Sequence, residues 1–160
     1  MAQRLKHKQV VVAFADQNTG TVSDAFTNFT KLERKPSGNF KKWVDDIAVP
    51  DDQKMHKNIR ERFDFADKKH KNKELVTDDA FDIKRSGEAG FHAEYRALSD
   101  LAHAKWGDTY VDPYIFDMWL KNDVVGYIRK IRHKSGVPKV QACCINCDYF
   151  TEGVTYMRIN

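Results

Sequence analysis

The chain has 160 residues and a net charge of +4, with a pI of about 8.9. That length fits a single domain that can bury a core without disulfide staples. The balance of 41% hydrophobic to 31% charged residues excludes a disordered or low-complexity chain. No apolar run approaches the roughly 20 residues of a membrane helix. The start (MAQRLKHK) is polar and does not read as a signal peptide, although a domain exported as part of a longer parent would carry no signal of its own.

In chain order, residues 9–15 (QVVVAFA) form a β-branched, apolar run that predicts a strand. Asp16, Asn18 and Gly20 supply turn chemistry, and residues 21–26 are expected to return as the second strand of a hairpin. Residues 29–85 are rich in Lys, Asp and Asn. They are expected to form a helical, peripheral insertion, with one helix opened by Pro50-Asp51-Asp52 and a thin apolar stripe of Ile59, Phe63 and Phe65. Residues 91–106 predict a helix closed by Gly107, residues 113–121 a short one, residues 124–129 a strand and residues 154–159 a last strand. At their spacing, Tyr110, Tyr114, Phe116 and Trp119 read as core rather than as a stacking platform for bases. The basic runs 68–73 and 129–134 read either as solvated surface or as phosphate contacts.

The three cysteines, Cys143, Cys144 and Cys147, lie within five residues of one another, which points to metal or redox chemistry rather than cross-linking. Cys144-Ile145-Asn146-Cys147 places two thiolates toward one ion, and a histidine from another helix completes the three protein ligands of a catalytic zinc. His92-Ala93-Glu94 supplies that histidine. Glu94, two residues further along a helix start, can approach the open position without binding the metal. The order His-x-Glu followed by Cys-x-x-Cys is the signature of zinc nucleobase deaminases. One departure stands out: Cys143, not proline, precedes the first thiolate.

The match extends beyond the two motifs. A basic strand (Tyr127-Ile128-Arg129), a Ser135-Gly136 turn, Cys144-x-Asn146-Cys147, Gly153-Val154 and the Gly87-Glu88 to His92-Ala93-Glu94 stretch together resemble the YwqJ-like branch of the zinc-dependent cytidine deaminase superfamily. Members of that branch occur as C-terminal domains of bacterial polymorphic toxins. The resemblance implies a single α/β domain over residues 1–160 with a three-layer α/β/α fold, a central mixed sheet and helices on both faces. It implies one zinc on His92, Cys144 and Cys147, Glu94 as the proton carrier, and hydrolytic deamination of cytosine to uracil in DNA, single- or double-stranded. It also implies a monomer, secreted or delivered as an effector into the cytoplasm of a target cell, neutralised by a cognate immunity protein and without a membrane partner. Asn28, Phe91, Ala93 and Arg129 are the expected substrate contacts.

Three readings compete. One keeps the chemistry but changes the substrate to RNA or a free nucleoside or nucleotide. A second is a non-catalytic nucleic-acid binding module with a closed structural zinc on Cys143, Cys144, Cys147 and His92, His103 or His133. Neighbouring cysteines rarely reach one ion without strain, so Cys143 is expected to be a buried spectator. A third, a redox dithiol, suits a motif early in a βαβ unit, whereas this one lies 13 residues from the C-terminus.

Overall fold

The computed structural model describes residues 9–71, 93–131 and 154–158, with side chains described over slightly shorter spans. Strand β1 (Gln9–Asp16) lies at the centre of a four-stranded mixed sheet. It pairs antiparallel with β2 (Phe26–Thr27) on one side and with β3 (Val124–Ile131) on the other. Strand β4 (Thr155–Arg158) extends the sheet in parallel with β3. A parallel pair needs a crossover of a dozen or more residues, and residues 132–154, which carry the cysteine motif, connect the two.

The turn after β1 forms for the reason its residues predict. Asp16 Oδ1 accepts the N–H groups of Asn18 (2.9 Å) and Thr19 (3.2 Å), and Gly20 adopts φ +74°. The return strand differs from expectation. Ser23 Oγ accepts the Phe14 N–H at 2.9 Å, replacing a backbone carbonyl in the ladder. Pairing is therefore reduced to an isolated bridge, Ala15 with Val22, before β2 forms at Phe26 and Thr27.

Helices α1 (Asn39–Val44), α2 (Lys57–Lys71), α3 (Ala93–Trp106) and α4 (Pro113–Asn122) follow, with a single 3-10 turn at Asp51–Gln53. Pro50 opens that 3-10 turn rather than an α-helix. Helix α3 closes where Gly107 takes φ +62° and returns its N–H to the His103 carbonyl. Helix α4 begins at Pro113, as expected, and the structure adds its cap: Asp112 accepts the Tyr114 N–H.

Val12 and Phe14 on β1 and Val124 and Ile128 on β3 form one sheet face, which packs on α3 and α4. The expectation that residues 29–85 are peripheral is corrected for its described part. Phe40, Trp43, Met55, Ile59 and Phe63 are all buried in the same core, whereas Leu32, Ile47 and Phe65 are exposed. Ile59, Phe63 and Ala66 recur at helical spacing, so a narrow stripe suffices once α3 supplies the opposing surface. Phe116 and Trp119 are core, as expected, whereas Tyr110 and Tyr114 are exposed.

Asp16 joins three elements. Its Oδ2 accepts the Trp119 indole N–H from α4 (2.9 Å) and meets Lys105 Nζ from α3 (3.4 Å). The coarse class is α/β, with the described helices on one face of the sheet. Ala15 and Val125, on the other face, are also buried. Among the described residues no helix is long and apolar enough to cross a membrane.

Candidate active site at the carboxyl ends of β2 and β3

Strand direction places the candidate residues at one edge of the sheet. β2 and β3 both run antiparallel to β1, so both end beside its N-terminal half, where Thr27 and Arg129 flank Val11 on either side. Helix α3 runs back along the sheet from that same edge, since its far end brings Lys105 to Asp16 at the end of β1. In open α/β sheets the crevice outside the carboxyl ends of strands is where ligands bind.

The first turn of α3 is pinned to this edge. Asn28, one residue beyond β2, accepts the Ala93 N–H on Oδ1 at 2.8 Å. First-turn amides have no partner within their own helix, and Ala93 is fully buried, so the contact satisfies a donor that water cannot reach. Arg96, three residues on and therefore on the same helix face, donates to the Thr27 carbonyl at 3.2 Å. Its guanidinium lies 4.9 Å from the Phe26 ring centroid and 4.3 Å from that of Phe29. Burial pulls the Arg96 pKa below its usual value, with Glu33 opposing that shift only in part.

Glu94 sits in the first turn of α3 and is only 6% exposed. A carboxylate there is favoured by the free amides of the helix start. Arg129 is exposed on the last half of β3. The structure thus brings Asn28, Ala93 and Glu94 together at one end of the sheet; Arg129 lies at the same end but alternates with the core residue Ile128, on the sheet face opposite α3. Phe91, His92, Cys144 and Cys147 lie outside the described residues, as does Cys143. Among the described residues no group of three or more His, Cys, Asp or Glu is placed to hold a metal ion.

Sequence reasoning missed Arg96. Its signal was a cation in the first turns of a helix, set directly between the apolar residues Tyr95 and Ala97-Leu98. A second titratable pair, His56 and His103, lies deeper in the fold with ring centroids 5.3 Å apart. His56 is fully buried. Burial, with the neighbouring His103 adding to it, lowers its pKa to about 4.

Comparison of the chain with protein families, with curated proteins and with solved structures found no match.

Proposed function

We propose that this chain is a zinc-dependent hydrolytic deaminase of nucleobases, acting on cytosine in nucleic acid and foremost in DNA. The observation that carries the reading is the buried Glu94 carboxylate, in the first turn of a helix held by Asn28 at the carboxyl ends of β2 and β3. That location suits a ligand crevice, and its residues belong to the motif that resembles the YwqJ-like deaminases.

His92, Cys144 and Cys147 would supply a nitrogen and sulfur donor set of the kind zinc takes; β3, which precedes the two cysteines in sequence, ends at the sheet edge where α3 starts. When bound there, zinc supplies acidity to a water molecule. Glu94 takes a proton from the attacking water and delivers it to the ring nitrogen beside the amine-bearing carbon. As the carbon–nitrogen bond breaks, Glu94 carries the second proton to the departing amine, which leaves as ammonia, and the ring keeps the water oxygen as a carbonyl. Glu94 ends in its starting state. Asn28 at this edge would orient the sugar, and Arg129, at the same edge on the other sheet face, would reach a phosphate that passes around it, while Phe91 and Ala93 flank the base.

A second helical layer over the Ala15 and Val125 face, giving the three-layer fold, belongs to this proposal and is supported by the burial of those two residues. The role as a delivered toxin domain, monomeric and restrained by an immunity protein, is supported by the sequence resemblance.

X-ray absorption at the zinc edge tests the metal site. Two sulfurs, one nitrogen and a light solvent atom are expected for an open catalytic site. Three sulfurs and one nitrogen would instead make the zinc structural and the chain a binding module.

A further inference from the structure

Helix α2 begins on an unusual cap. His56 precedes its first residue, and the His56 carbonyl takes the first intrahelical bond, from the Arg60 N–H at 2.8 Å. The Asn58 N–H is donated to Nδ1 of the His56 ring, 3.2 Å away. An imidazole therefore does here what a Ser, Asn or Asp oxygen does at most helix starts. Asn58 passes the restraint on. Its side chain donates to the Val111 carbonyl (2.7 Å) and accepts the Val111 N–H (2.9 Å), and Asp112, the next residue, caps α4. The Phe116 ring of α4 stacks on the His56 ring, with centroids 6.2 Å apart and planes 12° from parallel.

The cap holds only while the ring is neutral. A ring that accepts at Nδ1 carries its one hydrogen on Nε2. That Nε2 is buried and finds no hydrogen-bond partner among the described residues. An asparagine would make the cap without this orphan. A second proton goes to Nδ1, turns the acceptor into a donor facing the Asn58 N–H, and sets a positive charge at the positive end of the helix. Burial, His103 on α3 at 5.3 Å, and Lys57 all oppose that charge. Asp108 and the Thr109 backbone, the latter short of a full hydrogen bond, favour it only in part.

We infer that His56 is an acid-operated latch: on protonation it uncaps α2, releases the Asn58 to Val111 clasp and opens the first turn of α4, while the sheet stays folded. The opening adds Phe116 to the apolar side chains already exposed on and beside α4, Tyr110, Tyr114 and Ile115. The latch is independent of the catalytic reading.

Amide hydrogen exchange by NMR on the full-length chain between pH 7 and 4.5, corrected for intrinsic rates, tests it. At pH 7 the ring nitrogen shifts of His56 show hydrogen on Nε2 alone. Protection at the Asn58 and Val111 amides falls about tenfold to a hundredfold on acidification, the range that a pKa of about 4 in the closed latch against 6.5 in the open one allows. Dilute urea barely changes their exchange at pH 4.5, because little surface opens, whereas Val12 and Ile128 in the sheet follow global unfolding with its full urea slope. His56→Asn keeps a cap that does not titrate, and the acid response at Asn58 and Val111 is lost in it. Three results overturn the inference: hydrogen on Nδ1 at pH 7, a urea slope at Asn58 and Val111 equal to that of the sheet, or an unchanged acid response in the folded His56→Asn chain. The first two are read on the native chain, so they decide the matter should the variant unfold.

Discussion

Replacing Asn28 by Ala removes the acceptor of the Ala93 N–H, a 2.8 Å bond between the end of β2 and the first turn of α3. Ala93 is fully buried, so water cannot take over the lost acceptor. Leaving a buried amide unsatisfied costs about 1–3 kcal/mol, a range that includes the ~1 kcal/mol typical of a lost helix cap. For a chain of this length that lowers the melting temperature by about 3–10 °C. Asn28→Asp keeps an oxygen in the same place and adds charge that the helix start favours by about 0.3–1 kcal/mol, so it melts within a few degrees of the native chain. It also sets a second carboxylate beside Glu94 and removes the amide N–H₂, so its deaminase activity falls although its fold holds. Thermal unfolding followed by circular dichroism, at saturating zinc so that metal linkage is constant, measures both variants. If Asn28→Ala melts within about 1 °C of the native chain, the amide is not held by Asn28 and the anchoring of α3 is wrong.

Three further outcomes are expected. His56 is buried neutral with a pKa of about 4 against 6.5 for an unperturbed ring. The unfolded chain therefore binds the proton first as pH falls, and stability drops by about 3 kcal/mol from pH 6.5 toward 4; urea unfolding across that window shows the slope, which His56→Asn flattens. Asp16 is buried, which alone would raise its pKa, but the Trp119 indole, the Thr19 and Asn18 amides and Lys105 together lower it. Its contribution is present above the ordinary carboxylate range and is lost as pH falls through its lowered pKa, and Asp16→Asn costs about 2–3 kcal/mol by setting an amide against three donors and a cation. At Gly107 an added Cβ meets nothing within 4 Å, so Gly107→Ala costs only the strain of φ +62°, about 1 kcal/mol by denaturant titration.

The sequence was legible where one local rule decides the outcome. β1 followed from its run of Val and Ala, the turn from Asp16 and Gly20, and α4 from the run that starts at Pro113. Helix α3 followed from its Ala and Leu content and Gly107. The return strand was misread because the Ser23 hydroxyl takes a ladder position that backbone pattern alone assigns to a carbonyl. Burial of residues 40–66 was missed because the apolar stripe on α2 is narrow and reads as peripheral until α3 is placed against it. At the site, the spacing of His92 and Glu94 singled out the carboxylate. The Asn28 to Ala93 bond spans 65 positions and depends on strand direction, which only the folded sheet supplies. Arg96 escaped notice for the same reason: its aromatic neighbours come from the chain around β2.

The central claim is catalysis by Glu94, and base conversion tests it most directly. The purified chain, loaded with zinc, is incubated with cytosine-containing single-stranded DNA, duplex DNA, RNA and free cytidine, and ammonia release and uracil formation are measured beside Glu94→Ala. The account predicts conversion of a polymer, DNA foremost, by the native chain, and none by a variant that still binds one zinc. Retained conversion in Glu94→Ala, or none by the zinc-loaded native chain on any of the four substrates, would contradict it.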